Sequence, residues 1–159
     1  MTEFVKITSQ AMTAHINPQG AELWSLADSH GRQLMTNGDA AYWSGRAPIL
    51  FPVVGALAED SYRYRGQRFR MLKHGFARHS LFETIDHSSS SAWFRLEANE
   101  TTYLKFPFEF RLDLVFTLSG ATLSMTASVS NMGKKPMPFS FGFPRIRVAP
   151  AVRGKGARS

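Results

Sequence analysis

The residues best suited to chemistry lie in three stretches whose content is too specific for a generic strand or turn. KHGFARHSLFE (residues 73–83) sets His74 and Arg78 around Gly75 and Ala77, close enough in sequence for both side chains to enter one concave site. A near-neutral imidazole donates or accepts a hydrogen bond, and a guanidinium offers a planar fork to hydroxyls or phosphate. YWSGRAPILFPVVGAL (residues 42–57) mixes Trp43, Arg46, prolines and glycine into an apolar setting, the make-up of a rigid loop that lines a pocket. INPQGAELWSL (residues 16–26) joins a turn to a strand-like run. The same residues also describe a structural turn with a satisfied histidine beside a plain core segment. Composition leaves both readings open.

Other chemistries find little support. The chain has no cysteine, which excludes a disulfide framework, a thiolate metal site and a thiol nucleophile. His15, His30, His79 and His87 lack metal-ligand spacing, so no metal is expected. Glu22, Glu59, Asp60, Glu83 and Asp86 form no recognisable catalytic pair, and neither a phosphate-binding glycine loop nor a nucleophile elbow occurs. No cofactor is expected.

The elements that must position these residues are strands. In FEFRLDLVFTL (residues 108–118), Phe108, Phe110, Leu112, Leu114, Phe116 and Leu118 fall on one face at a period of two. After a Ser119-Gly120 turn, Leu123, Met125, Ala127 and Val129 alternate with Ser and Thr, so the pair predicts an antiparallel hairpin ended by Asn131-Met132-Gly133. Weaker alternation predicts strands over 4–8, 12–16, 22–26, 62–64, 67–71, 81–86, 92–97 and 137–143, with turns at 17–20, 30–31, 37–39 and 65–66. Residues 99–105 are the one stretch with a short helical period, and the serine run at 88–91 predicts a solvated hairpin tip. Many short strands with turns at this spacing indicate an all-β antiparallel sandwich or barrel.

Length and charge set the outer limits. A chain of 159 residues with 43% apolar content supports one domain, or part of one, with a real core. The net charge of +7 invites a nucleic-acid partner, but Arg145, Arg147, Arg153, Lys155 and Arg158 supply five of those charges, leaving about +2 for residues 1–143. Neither nucleic acid nor membrane is expected as a partner, because no secretion signal and no long apolar run is present. The expected location is the cytoplasm.

The three stretches, with KKPMPFSFGF (residues 134–143), resemble the aldose 1-epimerase or mutarotase family, in its bacterial LacX-like branch. The resemblance runs from Phe4 to Phe143, and NPxGAEL, RAPILFPVVG and HGFAR in this order are far more specific than any one alone. It implies a galactose mutarotase-like β-sandwich (super-sandwich), whose complete domain is about twice this length, and ring opening and closing of an aldose at its anomeric carbon. In that chemistry a His, as general acid, protonates the ring oxygen while a carboxylate takes the proton of the anomeric hydroxyl. His74 matches the family's sugar-contacting His, and Arg78 an Arg that holds substrate in sugar-phosphate relatives. Arg46 and Trp43 complete the implied contact set for a small hexose or hexose phosphate. Ala56 departs from it, standing where many relatives carry Arg.

The family's acid His lies just after a stretch like SFGF, and its base much further on; here Pro144 and Arg145 follow Phe143. The chain is therefore expected to comprise residues 1–143 of an incomplete sandwich and a basic, unstructured tail, 144–159, from out-of-frame translation. One synonymous coding of PRIRVAPAVRGK, read one base later, yields AFGWPLPYGE. The expected consequences are an isomerase-like protein without its acid and base, or a carbohydrate-binding module without chemistry, and self-association through exposed strands.

Overall fold

The computed structural model describes residues 3–35 and 46–143. Trp43, the turn expected at 37–39 and the basic segment 144–159 lie outside the described residues. The fold is all-β with antiparallel sheets, as the alternation predicts. Strands β1 (Val5–Thr8), β2 (Met12–Asn17) and β3 (Glu22–Asp28) form one sheet in that order. Strands β4 (Ser61–Tyr64) and β5 (Gln67–Arg70) form a two-stranded ribbon. The third sheet runs β6 (Glu83–His87), β7 (Ser91–Glu97), β8 (Phe110–Ser119) and β9 (Thr122–Asn131).

Period-two alternation makes the sandwich. Ile7, Ala14, Ile16 and Leu23 from the first sheet are buried in one core with Ala92, Phe94 and Leu96 of β7 and Phe110, Leu112, Leu114, Phe116 and Leu118 of β8. Register keeps each face uniform: Leu114 lies opposite Phe94 on one side and Ala127 on the other. The outward face of the same strands is polar. There Asp113 accepts from Trp93 Nε1 at 2.7 Å and from Arg95 Nε at 2.9 Å.

Aromatic rings fill the end of the core nearest the motif loops. Phe51 meets Phe106 edge-on at 6.1 Å and Phe110 tilted at 5.3 Å, and Phe76 packs on Phe110 at 5.8 Å. Helix α1 (Glu100–Tyr103) delivers Phe106; its start is fixed by a capping box in which Asn99 Oδ1 accepts from Thr102 N and Thr102 Oγ1 from Asn99 N, both at 2.9 Å. Tyr62 on β4 donates its hydroxyl to the Lys105 carbonyl at 2.6 Å, and burial pushes its phenol up to about 12.

Three expectations are corrected. Residues 137–143 form no strand: Pro138 lacks a backbone donor, Pro136 lies just before the segment, and within it only Gly142 bridges, to Leu50. The strand expected at 81–86 starts later, at Glu83, and bulges between Thr84 and Asp86. The serine run is more than a solvated tip, since the Ser89 carbonyl accepts from Thr8 N at 2.7 Å and the Ser90 carbonyl from Leu118 N at 2.9 Å, tying β1 and β8 to the hairpin end. The β8–β9 hairpin and the helix at 99–105 stand within a few residues of their expected limits.

Candidate functional site

The four motif segments, distant in sequence, dock on one another through backbone hydrogen bonds. NPQG packs on the end of the HGFARH turn: Gly20 N donates to the Ser80 carbonyl at 2.7 Å and Gln19 Nε2 to the His79 carbonyl at 2.6 Å. The HGFAR turn packs on ILFPVVG, with Phe76 N and Ala77 N both donating to the Phe51 carbonyl, at 3.0 and 3.2 Å. SFGF closes the other side of that segment, through a reciprocal pair between Leu50 and Gly142 at 3.0 Å and a bond from Ser140 N to the Pro52 carbonyl at 2.8 Å. Glycine is required at two of these contacts. A Cβ on Gly75 would fall on the Phe51 carbonyl, and one on Gly20 would lie 2.7 Å from the Arg78 carbonyl oxygen; both residues have positive φ, 75° and 80°.

His74 sits at the centre of this docking. It adopts φ 66°, the left-handed region, immediately before Gly75, and the sharp turn brings its imidazole back to the chain at Gly55. Gly55 N donates to His74 Nδ1 at 2.9 Å, and His74 N donates to the Gly55 carbonyl at 2.9 Å. Because Nδ1 accepts, the neutral ring carries its proton on Nε2, which is left as a donor. Desolvation, then the charges of Arg78 and Lys73, lower the imidazole's pKa, so the neutral form is favoured.

Arg78 belongs to the same turn, in the short 3-10 segment Ala77–His79. One Nη donates to the Lys73 carbonyl at 2.9 Å, while Nε is buried and has no partner among the described residues. A buried, unpaired guanidinium donor is costly to the fold.

Arg46 is anchored on a different element. Its backbone N and that of Ala47 donate to Glu22 Oε1 at 2.7 and 2.9 Å, one Nη donates to the Trp24 carbonyl at 3.1 Å, and the guanidinium lies over the Trp24 ring at 4.4 Å. Thus His74 and Arg78 are brought together on one turn, whereas Arg46 is held on β3. Sequence reasoning missed Glu22, which clamps the entry to RAPILFPVVG; the signal available was its place in the NPxGAEL motif. Beside the Pro52–Val53 backbone lies an apolar cleft of about 300 Å³, lined also by Leu57, Tyr62, Phe106 and Phe139. Among the described residues no group of three His, Cys, Asp or Glu could hold a metal ion, and no helix is long and apolar enough to cross a membrane.

A sandwich of antiparallel sheets whose histidine-bearing loop is bound to a proline-rich loop defines a class that comparison identifies. The sequence model of aldose 1-epimerase matches residues 3–144, and the chain belongs to that family. Its curated relatives include the plasmid-encoded protein LacX of Lactococcus lactis subsp. lactis, 30% identical over 157 residues, which cover 95% of this chain and 52% of LacX. A galactose mutarotase-like protein from Lactobacillus casei ATCC 334 superposes with a TM-score of 0.85 at 37% identity, over 89% of this chain and 48% of that one. A galactose mutarotase related enzyme from Lactobacillus acidophilus superposes with a TM-score of 0.90 at 30% identity, over 96% of this chain and 51% of that one. The chain spans about half the length of the relatives it matches.

Proposed function

We propose that this chain carries the sugar-holding side of an aldose 1-epimerase-type site and binds a hexose or hexose phosphate through His74 and Arg78. The observation that carries the reading is the Gly55 N–H to His74 Nδ1 hydrogen bond at 2.9 Å, which leaves Nε2–H as a fixed donor for a sugar oxygen. The guanidinium of Arg78, with one Nη on the Lys73 carbonyl, offers further donors from the same turn. A neutral imidazole and a guanidinium, both directional donors, suit a ligand made of hydroxyl and ring oxygens. Trp43 and Arg46 belong to the same reading as further contacts.

The groups that shift His74 are a desolvating surround and two cations, with no carboxylate among them. Such a histidine holds a substrate oxygen better than it trades protons. The 159 residues are therefore read as binding sugar without accelerating its mutarotation, in keeping with an acid and a base that the family places beyond SFGF. The same reading divides the chain into a sandwich portion, 1–143, and a basic segment, 144–159.

Calorimetry with galactose, glucose and glucose 6-phosphate tests the binding. Saturable heat that His74→Asn abolishes is the expected result; Asn accepts the left-handed backbone, so the turn survives the change. No heat with any of the three removes the proposal. Polarimetry on fresh α-galactose tests the chemistry, and the expected rate is that of buffer alone.

A further inference from the structure

The ribbon of β4 and β5 carries a charge pattern that the sugar-holding turn does not use. Its register sets Arg63 directly opposite Arg68 and Ser61 opposite Arg70, so Ser61, Arg63, Arg68 and Arg70 share one face. The other face carries Tyr62 stacked on Phe69, with ring centroids 5.5 Å apart. Like charges directly opposite on an antiparallel pair disfavour it, so three arginines gathered on one face run against the stability of the ribbon.

Two carboxylates, Glu59 and Asp60, stand beside them, and among the described residues only Glu59 forms an ion pair with one of the three. Arg68 Nε donates to Ser61 Oγ at 3.0 Å and one Nη to Glu59 Oε2 at 3.2 Å, but Glu59 is 82% exposed, a screened and easily exchanged partner. Among the described residues Arg63 and Arg70 make no ion pair, and both are exposed. Two shallow clefts run along this face, of about 380 and 280 Å³. Glu59, Ser61 and Arg68 line both, with Asp60 and Arg70 in the first and Tyr62 and Arg63 in the second.

We propose that the Arg63, Arg68 and Arg70 face of the β4–β5 ribbon is an anion site that takes the phosphate of a small phosphorylated ligand, a sugar phosphate in this family setting. Guanidinium forks match phosphate oxygens in pairs, and an incoming dianion displaces the exposed Glu59 carboxylate from Arg68. Residues two apart on a strand are separated by about 7 Å and opposite residues by about 5 Å, so long arginine side chains on this face can reach one or two phosphates, with Arg68 common to both clefts. A long polyanion is the weaker fit, because residues 1–143 carry only about +2 in all and these arginines lie within one short hairpin. Arg70 is four residues from His74, which puts its Cα within about 14 Å of that of His74 along the chain. The phosphate assignment stands on the ribbon alone; the sugar part of the ligand rests on the reading of His74 and Arg78 above.

The test is a titration of the full chain at low ionic strength with pyrophosphate, glucose 6-phosphate, glucose and a heparin oligosaccharide, read by calorimetry and by the amide resonances of β4 and β5. Pyrophosphate and glucose 6-phosphate are expected to shift those resonances. The double variant Arg68→Gln, Arg70→Gln is expected to weaken both by about tenfold without altering glucose binding. Equal affinity in parent and variant, or no saturable binding of either phosphate compound, overturns the site. Tighter binding of heparin than of glucose 6-phosphate at this face overturns the small-ligand assignment in favour of a polyanion. Loss of glucose binding in His74→Asn with pyrophosphate affinity intact supports two separate sites. Pyrophosphate held by the arginines of a parent that never binds glucose sinks the sugar reading and leaves the anion site standing.

Discussion

His74 joins backbone strain, tautomer and charge in one residue, which makes its behaviour testable. Its pKa in the fold lies below the 6.5 of an unperturbed imidazole, through desolvation and the nearby Arg78 and Lys73. The unfolded chain therefore takes up the proton first as pH falls, so the contribution to stability is complete above pH 6.5 and is lost as pH drops through the lower folded value. Protonation also turns Nδ1 into a donor facing the Gly55 N–H, which breaks that bond. The thermal midpoint is expected to fall between pH 7 and 5, with a smaller fall in His74→Asn; identical profiles would contradict the assignment. Tyr62 acts at the other end of the scale. Its phenol is raised to about 12, so its contribution is intact below pH 10 and disappears as pH climbs through 12. Tyr62→Phe is expected to remove a phenol that ionises near pH 12 from an ultraviolet pH titration.

At the scale of elements, the HGFAR turn is held by its neighbours more than by its own residues. Gly75→Ala places a methyl on the Phe51 carbonyl at a φ of 75°, and the combined clash and left-handed strain should cost roughly 3 kcal/mol. Urea unfolding should show that loss, whereas Gly66→Ala, at a turn with open space around it, should lose only the strain. Strand β8 is the central support, paired on both sides and buried along its even-numbered face. Leu114→Ala there should cost about 3 kcal/mol, since a fully buried side chain leaves a cavity the sheet cannot close. The same truncation at Leu104, which is 77% exposed, should be nearly silent.

For the whole molecule, β9 is the element expected to set the solution behaviour. Its ten residues, TLSMTASVSN, pair among the described residues with β8 on one side only and contain neither charge nor proline, the features that usually protect an edge. Its own Leu123 and Met125 line an apolar cleft of about 330 Å³ with Leu23, Ile49, Phe116 and Phe143. Self-association through this edge is the expected behaviour. Size exclusion across a concentration series should show species larger than 17.8 kDa, and Thr126→Lys, on the exposed face of β9, should shift them toward monomer. A monomer at every concentration in the parent chain would refute the association.

Local pattern was enough to predict an all-β antiparallel sandwich or barrel, and the family resemblance singled out the sandwich. The alternation of Phe110 to Leu118 follows from a side-chain period of two, which needs no tertiary partner to be recognised. The Asn99 cap and the Gly120 turn were equally local. His74 and Arg78 were legible as a pair because they share one turn. The segment 137–143 read as a strand because alternation does not reveal that Pro138 cannot donate to a ladder. Glu22 was passed over because its partners, Arg46 N and Ala47 N, lie 24 and 25 residues away. The arginines of the ribbon looked like ordinary surface charge until register put Arg63 against Arg68. Periodicity and turn residues act through neighbours in the chain, and a sequence states them outright. Which loop meets which, which donor is left unpaired and which like charges face each other depend on chain closure over tens of residues, and only the packed structure decides them.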